Sequence, residues 1–145
     1  MLVRQIFDNC ALLRLPTKTP DDSRGMLSVI EGERDISFAI RRVYLVTDTP
    51  VDKKRGFHAH RALEQYALCA SGSCTFDVDD GQRRESVLLA GPEHGIYMGP
   101  LLWHEMRDFS ANCVLVVLAS APYDEADYLR DYDDFLAADG KGGRS

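Results

Sequence analysis

The sequence predicts an all-β domain, most simply a jelly roll, followed by one C-terminal α-helix. Short segments in which apolar and polar residues alternate recur along most of the chain, and residues that favour turns separate them. Only the segment Asp124–Ala137 changes to a helical period, with tyrosine, leucine and phenylalanine on one face and acidic residues on the other. A chain of 145 residues and 16.2 kDa is long enough for one domain, which we place at 1–138, with a disordered tail at 139–145.

The strands are predicted from alternation and from the turns that bound them. Nine segments qualify: Cys10–Leu15, Met26–Ile30, Ile36–Thr47, Gly56–His60, Glu64–Ala70, Ser73–Val78, Arg83–Leu89, Gly95–Met98 and Cys113–Ala119. Asp80-Gly81 predicts a hairpin with a type I′ turn, because that turn needs positive φ at both central residues. Side chains of one parity along each strand of a jelly roll point into an enclosed cavity.

Charge and composition exclude several classes of function. Lys and Arg number 17 against 23 Asp and Glu, and a net charge of −6 argues against a general nucleic-acid binder. The sequence has neither an apolar run of about 18 residues nor an apolar stretch near its N-terminus, so we expect a cytoplasmic protein without a membrane span or signal peptide. The four cysteines are then expected to be reduced thiols, although Cys69 and Cys74 flank a predicted turn at Ala70–Ser73.

The most informative stretch is Arg55-Gly-Phe-His-Ala-His60. On a strand, His58 and His60 lie on one face, and Glu64 and the later His104 follow in the order and spacing of the metal ligands of cupins. Three imidazoles and a carboxylate suit Fe, Mn, Ni or Zn in an oxygenase or isomerase. The same residues suit proton transfer without a metal, because histidine titrates near neutral pH. The spacing leaves both hypotheses open.

Arginines and aromatic residues are the candidates for ligand contacts. Arg24, Arg42 and Arg55 are candidates for binding an anion, since arginine forms bidentate bonds to phosphate. If Tyr44 faces the cavity, then Arg42 does too and Arg41 faces solvent. Lys54, beside Arg55, is interpreted as part of a solvated basic turn, and Tyr97 as either a stacking residue or core.

Together these residues resemble the cupin-fold dTDP-4-keto-6-deoxyglucose 3,4-ketoisomerases of deoxysugar biosynthesis. The matching blocks run along nearly the whole chain: Arg42-Val-Tyr44, Arg55-Gly-Phe-His-Ala-His60, Leu63-Glu-Gln65, Asp79-Asp-Gly81, Gly99-Pro100, Trp103-His-Glu-Met106 and Asp124 to Tyr128. Any one block is weak evidence, whereas their order and spacing are specific.

The resemblance implies a homodimer that moves the ketone of a dTDP-linked 4-keto-6-deoxy sugar from C4 to C3, with no metal and no cofactor. His58 and His60 are implied to be the catalytic pair, with His58 as the proton acceptor. The predicted substrate contacts are Arg42, Tyr44, Arg55, Arg24, Tyr97, His104 and Glu64.

Overall fold

The computed structural model describes residues 1–18 and 25–138, which form thirteen strands and one α-helix. The strands are β1 (Leu2–Phe7), β2 (Cys10–Arg14), β3 (Thr17–Lys18), β4 (Leu27–Ser28), β5 (Arg42–Thr47), β6 (Arg55–His60), β7 (Gln65–Ser71), β8 (Ser73–Asp79), β9 (Arg84–Ala90), β10 (His94–Met98), β11 (Trp103–Arg107), β12 (Val114–Ala119) and β13 (Tyr128–Leu129). Helix α1 spans Tyr132–Ala137. The predicted all-β fold with one C-terminal helix is confirmed.

Two antiparallel sheets pack face to face. The order of strands is β1-β2-β10-β7-β12-β5 in one sheet and β13-β6-β11-β8-β9 in the other, and β3 pairs with β4 apart from both. The main core lies between the sheets and includes Ala67 and Leu115 of the first sheet and Phe76 and Val78 of the second. Burying both inner faces stabilises the sandwich through the hydrophobic effect.

Alternation along β7 separates the interior from an outer layer. Ala67 and Cys69 belong to the main core, whereas Tyr66 and Leu68 pack outside the first sheet with Ile36 and Phe38. The predicted strand Ile36–Thr47 is therefore wrong in its first half, since only Arg42–Thr47 joins a sheet. The alternating apolar residues before it cover the outer face of the sheet instead.

The C-terminal segment differs most from its prediction. In place of one helix over Asp124–Ala137, a 3-10 turn at Glu125–Asp127 and strand β13 precede the short helix α1. Two aspartates divide the segment, because Asp124 caps the 3-10 turn and Asp131 caps α1 with side-chain hydrogen bonds. Leu129 and Phe135 reach one apolar cluster from a strand and a helix, so a helical spacing of apolar residues arises without a continuous helix.

The hairpin at Asp80-Gly81 is confirmed, but its predicted turn type is wrong. β8 ends at Asp79 and β9 begins at Arg84, so four residues connect the strands. Gly81 has φ +96°, and Asp80 is not among the residues with positive φ. The Asp80 carboxylate accepts from the N–H groups of Gln82 and Arg83 at 2.9 Å each, and this side-chain bonding stabilises the wider loop.

Strand β11, which carries His104, was not among the predicted strands.

Within residues 1–18 and 25–138, no helix is long and apolar enough to cross a lipid bilayer. All four cysteines are free and buried.

Candidate active site

Three histidine rings meet inside the sandwich at one end of β6 and β11. His58 lies opposite His104 in the antiparallel pairing of these strands. The ring centroids of His58 and His60 are 5.0 Å apart, and those of His58 and His104 are 4.6 Å apart. The prediction that His58 and His60 share one face is confirmed, and His104, which the sequence analysis grouped with them, lies beside them and is 3% exposed.

A β-bulge in β6 directs His58 towards the interior. The register between β6 and β11 shifts between His104 and Glu105, where Gly56 has φ +92° and Phe57 has φ +62°. A β-carbon on Gly56 would lie 2.7 Å from the carbonyl oxygen of His104. Glycine is therefore required by the close approach of the two strands as well as by its backbone angle.

We expect Gly56→Ala to displace β6 from β11 and to reduce both stability and activity. The steric overlap and positive φ together should cost about 2–4 kcal/mol of the free energy of unfolding. Chemical denaturation measures the first effect and steady-state turnover the second. Gly91→Ala is the matched control, because Gly91 has φ +76° but nothing within 4 Å of an added β-carbon. Equal losses in the two variants would contradict the steric argument.

Each imidazole is held through its Nδ1 atom. His58 Nδ1 lies 3.1 Å from the carbonyl oxygen of Gly56, and His104 Nδ1 lies 3.4 Å from that of Leu102. His60 Nδ1 lies 3.2 Å from Oδ2 of Asp127. Because carbonyl and carboxylate oxygens only accept, each ring donates from Nδ1 and keeps the lone pair on Nε2. The Nε2 atom of His60 is buried without a hydrogen-bond partner among the described residues.

The environment keeps the imidazoles neutral. Burial lowers the pKa of His58 below its ordinary value of 6.5. Burial and the nearby His58 lower the pKa of His60 to about 4, although Asp127 opposes this shift. Burial, with both neighbouring rings, lowers the pKa of His104 well below 6.5. Neutral imidazoles at physiological pH are competent proton acceptors.

Strand β13, which lies near the C-terminus of the chain, packs against the histidines. Tyr128 pairs with His60 across β13 and β6, and its ring centroid lies 4.4 Å from that of His60 and 5.0 Å from that of His58. The guanidinium carbon of Arg130 lies 4.1 Å from the centre of the Tyr128 ring, and Arg130 also forms two hydrogen bonds with Glu125, of 2.8 and 2.9 Å. Sequence reasoning missed Tyr128 and Arg130 as site residues, since the helical assignment hid the pairing with β6.

A cleft of about 460 Å³ opens beside His58. Four cationic side chains line it, from Arg42, Lys54, Arg55 and Arg130, and the described part of its lining contains no carboxylate. Glu125 neutralises Arg130, but the other three cations, in a chain of net charge −6, still make the cleft positive and indicate an anionic ligand. Lys54 was predicted to be part of a solvated turn, but although exposed it lines this cleft.

Arg42 and Tyr44 face the interior from β5, as their parity predicted, while Arg41 is exposed. The hydroxyl oxygen of Tyr44 accepts a hydrogen bond of 2.7 Å from Nε2 of Gln65, so the hydroxyl proton is free to be donated elsewhere. Burial raises the pKa of Tyr44 to about 12. The guanidinium carbon of Arg42 lies 5.4 Å from the centre of the Tyr44 ring.

Glu64 and Tyr97 do not reach the histidines. The Tyr97 hydroxyl donates to Oε1 of Glu64 at 2.7 Å, and Ser37 donates to the same oxygen at 3.1 Å. Glu64 shares the parity of Tyr66, and Tyr97 belongs to the outer layer, so alternation places both outside the sheet. Arg24 lies outside the described residues.

The predicted metal-ligand set of three histidines and Glu64 is not assembled. Within the described ranges, the sole group of three or more potential ligands whose donor atoms lie within 4.8 Å of one another consists of cysteines. The physical reason is the opposite parity of Glu64, whose carboxylate is engaged with Tyr97 and Ser37.

A protein-family model described as FdtA: WxcM-like, C-terminal, matches residues 8–140 of the chain. The chain belongs to this family. Among proteins of known activity, it is similar to the TDP-4-oxo-6-deoxy-alpha-D-glucose-3,4-oxoisomerase of Aneurinibacillus thermoaerophilus, with 52% identity over 114 residues, 79% of this chain and 82% of that protein.

Solved structures agree with the FdtA assignment. A histidine-to-asparagine mutant of the 3,4-ketoisomerase QdtA from Thermoanaerobacterium thermosaccharolyticum, in complex with TDP-4-keto-6-deoxyglucose, matches with a TM-score of 0.88. The two chains are 39% identical, and the match covers 96% of this chain and 98% of the other. The TDP-quinovose 3,4-ketoisomerase WlaRB from Campylobacter jejuni matches with a TM-score of 0.85 and 42% identity, over 90% of this chain and 98% of that one.

Proposed function

We propose that this chain is a 3,4-ketoisomerase that moves the ketone of a TDP-linked 4-keto-6-deoxy hexose from C4 to C3. The observation that carries the proposal is the neutral imidazole of His58 beside a cleft lined by four cations. The activities of FdtA-family relatives at 52% and 42% identity support the same reaction.

His58 is the proposed base. Its Nδ1 is bonded to Gly56, so Nε2 holds the lone pair that removes the proton from C3. Removal of this proton, which is α to the C4 carbonyl, forms an enediolate. Delivery of a proton to C4, together with transfer of the hydroxyl proton from O3 to O4, leaves the ketone at C3. His60, held by Asp127, is the second group able to move a proton between neighbouring atoms.

Negative charge that develops on the substrate oxygen needs a hydrogen-bond donor already in position. The Tyr44 hydroxyl is suited to this role, because Gln65 occupies one of its acceptor lone pairs and its own proton remains available. Tyr128, whose ring contacts both catalytic histidines, is the second proposed donor.

The diphosphate is proposed to bind Arg42, Arg55, Lys54 and Arg130. Binding energy from a group remote from the reacting carbons orients the sugar ring against His58. Asparagine lacks a basic nitrogen, so the complex of a histidine-to-asparagine mutant of QdtA with TDP-4-keto-6-deoxyglucose supports a role for a histidine after substrate binding.

The decisive experiment is NMR of the reaction with TDP-4-keto-6-deoxyglucose in D₂O. We expect the carbonyl resonance to move from C4 to C3 and solvent deuterium to appear at C4. Binding of the sugar nucleotide without isomerisation would show a binding protein instead and would overturn the proposal.

The pH dependence of turnover should follow the neutral histidines. Because burial lowers the pKa values of His58 and His60, we expect kcat/KM to stay constant as pH falls to 6.5 and to decrease only below it. One protonation gives a loss of about tenfold per pH unit beyond the midpoint. A midpoint at or above 6.5 would contradict the assignment.

Stability must be measured over the same range. The histidines of the unfolded chain have pKa values near 6.5, whereas burial lowers the pKa of His58 in the folded protein. The unfolded state therefore binds more protons, and the free energy of unfolding decreases as the pH falls below 6.5. Circular dichroism at each pH separates loss of activity from loss of fold.

We also propose that residues 1–138 act as one catalytic unit within a cytoplasmic homodimer. Apolar side chains on both edge strands of the first sheet support the dimer: Leu2 and Val3 of β1 are 55% and 50% exposed, and Val43 and Leu45 of β5 are 57% and 62% exposed. The four free cysteines are consistent with a reducing compartment. Analytical ultracentrifugation tests the dimer.

A further inference from the structure

Three of the four cysteines converge in the core, away from the histidines. Cys69 lies on β7, Cys74 on β8 and Cys113 immediately before β12. The Sγ atom of Cys69 is 3.8 Å from that of Cys74 and 3.8 Å from that of Cys113, and all three sulfurs lie within 4.8 Å of one another. Cys69, Cys74 and Cys113 are 0%, 0% and 5% exposed, respectively.

A tight turn brings the three thiols together. Gly72, with φ +70°, connects β7 to β8, and a β-carbon on it would lie 2.8 Å from the α-carbon of Cys113. The turn therefore packs directly against the segment that carries the third cysteine. The thiols are separated from the cleft along β7. Gln65, which donates a hydrogen bond to Tyr44, precedes Cys69 by four residues, and four residues of extended strand span about 13 Å.

The spacing of the sulfurs suits one central atom. Two of the three Sγ–Sγ distances are 3.8 Å and the third is no more than 4.8 Å, so a point equidistant from the three sulfurs lies about 2.2–2.5 Å from each, a range that includes the metal–sulfur distance of about 2.3 Å found in zinc thiolate sites. A donor set made of sulfur alone selects soft, thiophilic elements over hard cations such as Mg²⁺ or Ca²⁺.

Charge decides among the soft elements. The three cysteines belong to an apolar core cluster with Phe76 and Leu89, where an uncompensated charge is costly. Three thiolates leave a net negative charge around Zn²⁺ or Cu⁺, and structural Zn²⁺ also requires a fourth ligand. Trivalent arsenic is neutralised by three thiolates and needs no further ligand.

We propose that Cys69, Cys74 and Cys113 form a trithiolate site for trivalent arsenic, supplied as arsenite. Three As–S bonds form as three As–O bonds break, and the three thiol protons leave with the hydroxyl groups as three molecules of water. No oxidation state changes. The bound atom links β7 and the residue that precedes β12 to β8 of the opposite sheet.

Arsenite binding to the purified full chain tests the site. The reduced protein is incubated with arsenite, passed through a desalting column and examined by elemental analysis and native mass spectrometry. We expect one arsenic per chain, a mass gain of one arsenic less three hydrogens, and a higher thermal unfolding midpoint, because a ligand that binds the native state stabilises it.

Cys10 provides the matched control, since it is equally buried but lies outside the cluster. Cys10→Ala should retain one arsenic per chain, whereas Cys69→Ala, Cys74→Ala and Cys113→Ala should each lose at least nine-tenths of it, with circular dichroism confirming the fold. Arsenic content unchanged in Cys69→Ala, a two-thiol mass, or binding of Zn²⁺ but not arsenite would each overturn the proposal. Isomerase activity is not part of the readout, so the result stands apart from that of the proposed function.

Discussion

His58→Asn is expected to abolish isomerisation while leaving the fold and the binding of the sugar nucleotide intact. Asparagine retains a polar side chain in the half-buried site but has no basic nitrogen to accept the proton from C3. General acid–base catalysis contributes about 10²–10⁴-fold, so kcat should fall by about 10³-fold or more. NMR of the reaction in D₂O measures both the product and the exchange of hydrogen at C3.

The matched control for this variant is His94→Asn. His94 begins β10 in the opposite sheet and forms no ring contact with the three clustered histidines, so its replacement should leave kcat unchanged. Near-normal turnover by His58→Asn, or an equal loss in both variants, would refute the assignment of His58 as the base.

Asp127→Asn should give the second largest effect, because this carboxylate holds three groups. Its oxygens accept from the N–H of Ala62 at 2.8 Å, from the N–H of Leu63 at 3.3 Å and from Nδ1 of His60 at 3.2 Å. An amide replaces one acceptor oxygen with a donor, so either the bonds to His60 and Leu63 or the bond to Ala62 is lost, and the negative charge beside His60 is removed in both cases. We expect kcat to fall by about 10²-fold and the free energy of unfolding by about 1–3 kcal/mol.

The pH profile distinguishes a positioning role from a merely structural one. Asp127 raises the pKa of His60 against the effect of burial, so its loss should move the acidic limb of kcat/KM that reports His60 to lower pH. Asp133→Asn is the control, since Asp133 is an exposed residue in the first turn of α1. A lower kcat with an unshifted pH limb would contradict the positioning role of Asp127.

Local pattern was sufficient to predict most strands and the shared face of the two histidines on β6. Two residues that differ by two positions on a strand share a face whatever the rest of the fold does, so His58 and His60 were predictable from their spacing. The same rule correctly placed Arg42 and Tyr44 on the interior face of β5.

Features that depend on pairing between distant segments were not predictable in the same way. The helical spacing of apolar residues after Asp124 hid a strand, because Leu129 and Phe135 pack on one cluster from two different elements. That strand and the residues on either side of it place Tyr128, Asp127 and Arg130 beside the histidines. Glu64 follows His60 by four residues, yet it lies immediately before β7, where its parity is outward.

The amino-acid sequence therefore established the fold class, the histidine pair and the family resemblance, since each depends on residue type and on spacing within one segment. Tertiary structure alone decided which groups meet: the positive cleft, the partner of His60, the cover formed by β13 and the cluster of three thiols. The physical reason is that strand alternation is a local property of the backbone, whereas contacts between elements depend on register and packing across the whole domain.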